Sequence, residues 1–119
     1  MRDRVQSFRD LIVWQKGVNL AVLVYELTRL LPKSETYGLS SQMQRAAVSV
    51  PSNIAEGYRR NNTKEYRHFC ALALGSAAEL ETQLIIAKKV YPCISYSAEL
   101  SLCVEVQKIL TAIIKKLSP

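Results

Sequence analysis

The amino-acid sequence predicts an all-α fold, an antiparallel up-down four-helix bundle. Three observations predict it. Four stretches carry apolar residues at alternating steps of three and four, the period of a helix face. Short polar or proline-bearing breaks separate those stretches, which makes successive helices antiparallel neighbours. With 4 Gly and 4 Pro in 119 residues, the chain also lacks the turn residues that an all-β fold needs.

The length accommodates one domain, residues 1–119, with a short N-terminal arm over residues 1–9. The first helix is expected over 11–31, where Pro32 ends it. Asp10 is its expected N-cap, because a carboxylate there accepts from the open amides of the first turn. Its apolar residues form two stripes. One is Leu11, Trp14, Val18, Ala21 and Tyr25; the other is Val13, Leu20, Val24, Leu27 and Leu31. One stripe is enough inside a monomeric bundle. A helix apolar nearly all round needs cover on its other side, which points to self-association. Packing under the N-terminal arm or the loops is the alternative.

The second helix, expected over 39–60, carries a proline in its middle. Leu39, Met43, Ala46, Val50 and Ile54 nevertheless stay on one face through Pro51. A chain broken at the proline would have no reason to keep that phase. One kinked helix is therefore expected, with Pro51 deleting a backbone hydrogen bond at a cost of about 3 kcal/mol. A polar stripe of Arg45, Ser49, Asn53 and Glu56 runs beside the apolar face. Arg45 is expected either to pair with Glu79 of the third helix, fixing the register, or to lie on a solvated face.

Asn62 opens the third helix, expected over 63–90, at capping-box spacing from Glu65. Its seam is the clearest in the chain: Tyr66, Cys70, Ala73, Ala77, Leu80, Leu84, Ala87 and Tyr91. Ala73, Gly75, Ser76 and Ala77 add little bulk, so another backbone can approach there. The fourth helix, expected over 97–117, repeats the pattern with Cys103, Val106, Leu110, Ile113 and Leu117. Lys115 and Lys116 sit near its C-terminus, where positive charge suits the helix dipole.

Charge supplies the functional candidate. The chain has 16 basic and 10 acidic residues, a formal charge of +6 and a pI near 9.4. Such a balance attracts nucleic acid or other anionic surfaces. Arg59, Arg60, Lys64 and Arg67, with His68 adjacent, concentrate positive charge at one end of the bundle, opposed locally by Glu65. Tyr58 and Tyr66 supply rings that can stack on bases. These four cations are the nucleic-acid-binding candidates, for RNA or DNA. A helix turn kept soluble by charge is the plainer alternative.

Catalytic chemistry finds little support. A Ser-His-Asp arrangement would have to join His68, the one histidine, to Asp3 or Asp10 near the N-terminus. Cys70 lies two residues from His68 and so faces another way on a helix. Glu65 and His68 form one E-x-x-H, but a di-iron bundle needs a second such pair. Neither phosphate-binding glycine motif occurs. The chain is therefore expected to be no enzyme, with no metal and no cofactor. Cys70, Cys93 and Cys103 form no CxxC pair, and no signal peptide or run of about 18 apolar residues is present. They read as reduced thiols of a cytoplasmic protein without membrane contact.

Three stretches carry a resemblance: FRDLIVWQKGVNL, ETYGLSSQMQRAAVSVPSNIAEGYRR and HFCALALGSAAELETQL. Together with NIAEG from Asn53 to Gly57, they resemble the four-helix proteins encoded in intervening sequences of bacterial 23S rRNA genes. The likeness spans residues 8–91, and the fourth helix matches only in being amphipathic. It implies a ring-like homopentamer and kinship with basic accessory proteins of diversity-generating retroelements, which bind nucleic acid and a reverse transcriptase. Members commonly carry paired arginines before the Ala-Ala of the second helix. This chain has Gln44-Arg45 there, one charge fewer. The resulting expectation is a non-enzymatic, oligomeric bundle that binds RNA or DNA. The rival is a scaffold or accessory subunit for an acidic protein partner.

Overall fold

In the computed structural model the described residues are 7–119; residues 1–6 of the arm, Asp3 among them, lie outside them. Four helices form: α1 Ile12–Thr28, α2 Leu39–Arg59, α3 Thr63–Val90 and α4 Ser97–Leu117. No strand occurs among the described residues. The fold is the expected all-α four-helix bundle, about 46 × 22 × 21 Å.

The helix ends follow from local chemistry, with two departures from expectation. Asp10 does not cap α1. It closes a short 3-10 turn, Phe8–Asp10, in a reciprocal capping box with Ser7, and α1 starts after Leu11 without a side-chain cap. At the other end α1 stops at Thr28 rather than near Leu31. There the amides of Leu30 and Leu31 reach back only three residues, to Leu27 and Thr28, so the chain tightens ahead of Pro32. Between α2 and α3, Asn61 takes the left-handed conformation at φ 52°, which asparagine tolerates better than most residues. Asn62 Oδ1 then accepts from the Glu65 amide at 3.0 Å, as the spacing predicts. The reciprocal half of that box is replaced, because the Glu65 carboxylate turns to Arg60.

Tyr96, buried at the α3–α4 connection, ends α3. Its hydroxyl donates to the carbonyls of Ala87 and Tyr91 at 3.2 and 3.0 Å, satisfying groups that a helix end leaves open. Nearby, Tyr91 donates to Glu35 Oε2 at 2.6 Å while Glu35 Oε1 accepts from the first amide of α2. The tyrosine bond, then the Leu39 amide, hold the Glu35 carboxyl below its ordinary range. The same bond pushes the Tyr91 phenol up.

Each helix packs on the next and α1 packs on α4, so α1 and α3 occupy diagonal corners. The core is the set of seams: Leu20 and Val24 from α1, Met43, Val50 and Ile54 from α2, Leu80 and Leu84 from α3, Val106 and Leu110 from α4. The α1 stripe containing Val13, Leu20 and Val24 is the buried one. Of the other stripe Tyr25 is exposed and Val18 half-buried, while Leu11, Trp14 and Ala21 are half-buried against the core, with Phe8 edge-on to Trp14 at 5.3 Å. Helix α2 runs unbroken through Pro51. Gly17 faces that proline, and a Cβ there would stand 3.4 Å from the Pro51 ring, at the near edge of ordinary van der Waals contact. Gly57 permits an even closer approach, since its Cβ would fall 2.5 Å from Phe69 Cβ on α3.

Polar residues set the α2–α3 register by a different route from the one expected. Arg45 and Glu79 do not pair; both are exposed, and Glu79 accepts from Gln83 at 3.4 Å. The ion pairs among the described residues join Lys16 to Glu105, and Arg60 to Glu56 and Glu65. Hydroxyls bridge the helices instead. Ser49 Oγ lies 2.8 Å from Ser76 Oγ, and Asn53 Nδ2 donates to the Ser49 hydroxyl and carbonyl. Neutral bonds avoid the desolvation cost of a buried ion pair.

Candidate nucleic-acid interface

The up-down topology returns the end of α4 to the start of α3, and a groove of about 700 Å³ lies between them. Asn62, Lys64, Glu65, Arg67 and His68 line one wall, and Ile114 and Ser118 the other, with Ala71 below His68 on α3; the Glu65 carboxylate in that wall is paired with Arg60. Lys64 and His68 are exposed. Arg67 reaches across and donates to the Leu117 carbonyl at 3.5 Å, so it ties the two walls together while keeping its charge in the groove.

The four sequence candidates divide. Arg59 and Lys64 are exposed and enter none of the ion pairs found among the described residues. Arg60 is differently placed. Its guanidinium bonds Glu56 at 3.0 Å and Glu65 at 3.2 Å and lies over the Phe69 ring at 5.0 Å. That arrangement spends its charge on the α2–α3 corner. Tyr66 is buried and packs edge-on against Tyr58 at 5.6 Å, so it offers no open ring face to a base.

Two cations missing from the candidate set belong to this end. Lys115 and Lys116 are exposed on the last turn of α4, flanking Ile114. The signal was available, because an antiparallel bundle must bring the last turn of α4 beside the first of α3. Of the polar stripe, Asn53 and Glu56 hold positions in the corner, the first through Ser49 and the second through Arg60. Burial pushes the Cys70 and Cys103 thiols up to about 11, so both stay protonated at neutral pH. Among the described residues no group of three or more His, Cys, Asp or Glu gathers at metal-binding distance.

The sequence model of the 23S rRNA-intervening sequence protein family matches residues 9–112. The chain belongs to that family. Its members' fold is also seen in a crystal structure, at 1.70 Å, of a protein of unknown function from the S23 ribosomal protein family of Bacteroides thetaiotaomicron. The two chains are 25% identical and superpose with a TM-score of 0.79, over 87% of this chain and 99% of the other. No curated protein matches the chain. The family match extends through most of α4, the helix whose sequence resemblance was weakest.

Proposed function

We propose that this member of the 23S rRNA-intervening sequence protein family is a non-enzymatic, self-associating bundle that binds RNA or DNA through its basic end. One observation carries the reading. Arg59, Lys64, Lys115 and Lys116 are exposed around one end of the bundle, outside every ion pair found among the described residues. Unpaired cations spaced around a groove neutralise phosphates and release counterions. Anisotropy titrations with labelled RNA and DNA at two salt concentrations test it. The double variant Lys64→Gln/Lys116→Gln is expected to lower the slope of log K against log salt by about 2, one for each lost phosphate contact. Absence of binding at low salt overturns the reading, and a nuclease-resistant protein partner would then favour a scaffold.

Self-association rests on two apolar faces. Val18, Ala21, Val22, Tyr25, Val48 and Pro51 line a groove of about 320 Å³ between α1 and α2, with Glu26 and Arg29 also in its lining. On the outer side of α3, Leu72 is exposed one turn before Gly75, and Ile86 and Val90 are exposed nearer the C-terminal end, beyond Glu79 and Thr82. A Cβ at Gly75 would meet nothing within 4 Å, so a single copy has no packing need for a glycine that costs the helix about 1 kcal/mol. Helix α3 is also long and apolar enough, by length and composition, to cross a membrane; here its seam is buried in the bundle, and its outer face suits a protein neighbour. The two faces differ, so a contact that joins one to the other between copies is head-to-tail, and it closes into a ring when the rotation between copies returns to its start. Five is the copy number that the family resemblance implies. Light scattering is expected to give a multiple of 13.4 kDa, and Val22→Glu to return the protein to the monomer mass. A wild-type monomer would refute the assembly.

A further inference from the structure

We infer that the groove between the start of α3 and the end of α4 takes single-stranded nucleic acid, with an unstacked base seated against Ala71 and Ile114. The inference rests on the nucleic-acid reading above and adds the class of strand.

The groove combines two chemistries. Lys64, Arg67 and His68 present cationic or donor groups along its α3 wall, where the one carboxylate, Glu65, is already paired with Arg60 at 3.2 Å, while Ala71 is exposed and Ile114 half-exposed in its lining. Its volume, about 700 Å³, leaves room for a nucleobase, although the groove is open along one side. A duplex turns its phosphates outward and keeps its base faces stacked, so only charge would meet this concavity. The apolar surface would then be dehydrated against phosphate, without gain. A single strand can turn a base out of its stack and lay the flat apolar face on Ala71 and Ile114, with flanking phosphates on Lys64 and Arg67. Asn62 and Ser118, at opposite sides of the same groove, offer amide and hydroxyl groups to the base edge.

Electrostatics alone predicts the opposite preference. Duplex DNA carries the denser charge, and its binding has the steeper salt dependence, about 0.9 per contact against about 0.7 for single strands. A preference for single strands therefore measures contact with bases rather than attraction to phosphate.

The test uses the full chain and three labelled probes of about 12 nucleotides, a length within the range of single-strand sites. They are an oligo-dT strand, a strand of equal length with abasic positions throughout its middle, and a blunt duplex. The oligo-dT strand is expected to bind about tenfold more tightly than either of the others, a factor modest beside aromatic stacking because the groove floor is aliphatic. Ala71→Gln, an exposed, uncharged substitution by a good helix former, is expected to remove most of that preference and leave the salt slope unchanged. Equal binding of the three probes, or an unchanged preference in Ala71→Gln, overturns the inference while the nucleic-acid reading stands. Binding of none of them at low salt overturns both.

Discussion

Leu80→Ala is expected to lower the unfolding free energy by about 2–5 kcal/mol. Leu80 is fully buried at the middle of α3, the helix that packs against both α2 and α4. Truncation removes three methyl or methine carbons whose neighbours belong to other helices. Those helices are fixed by their own seams, so the space collapses only in part. For a domain of this size, stability is typically about 5–15 kcal/mol. The melting temperature is therefore expected to fall by roughly 10–20 °C. Thermal and urea unfolding followed by circular dichroism measure it. Ile12→Ala, at a residue 64% exposed at the start of α1, is the control and should stay within about 0.5 kcal/mol. A loss below 1 kcal/mol at Leu80 would mean that the seam is not the centre of packing.

The second large effect comes from adding an atom. In Gly57→Ala the new Cβ arrives 2.5 Å from Phe69 Cβ, 3.2 Å from its Cγ and 3.4 Å from Tyr66 Cα. Phe69 Cβ is attached directly to the α3 backbone and cannot swing aside, so the two helices must separate. Overpacking of this kind costs about 3 kcal/mol at the upper end of its usual range. The gain in helix propensity returns about 1 kcal/mol, leaving a net loss of about 2 kcal/mol. Phe69→Ala keeps the offending Cβ in place and is expected to give no relief when combined with it. Denaturant titration of the three variants checks both statements. A neutral Gly57→Ala would show that α2 and α3 are more loosely joined than their spacing requires.

Most of the fold was legible because each helix writes its own seam. Pro51 is the clearest case: a residue that usually ends helices was overruled by the phase of Met43, Val50 and Ile54 on either side of it. What packs across helices was harder to read. Arg45 and Glu79 have complementary charges at a suitable separation, but burying them would cost more than the neutral Ser49–Ser76 bridge that replaces them. Tyr66 had been assigned both to the α3 seam and to a base-stacking role, and a buried ring cannot serve both. The sequence pattern accounts for Lys115 and Lys116 by the α4 dipole alone, because about 50 residues separate them from Lys64. The groove is a product of chain reversal, which local patterns do not record.

The bond between Tyr91 and Glu35 has a consequence for how the molecule opens. It links the connection between α1 and α2 with the connection between α3 and α4, two stretches that lie at the same end of the bundle. That end is stitched across all four helices. At the opposite end Arg60 fastens α2 to α3 through Glu56, Glu65 and Phe69, while the hydrogen bond that ties the last turn of α4 to α3 is the long Arg67–Leu117 contact. Fraying is therefore expected at the last turn of α4, which can part from α3 without disturbing the α2–α3 corner or the sewn end. One wall of the surface offered to a ligand is thus fixed and the other adjustable.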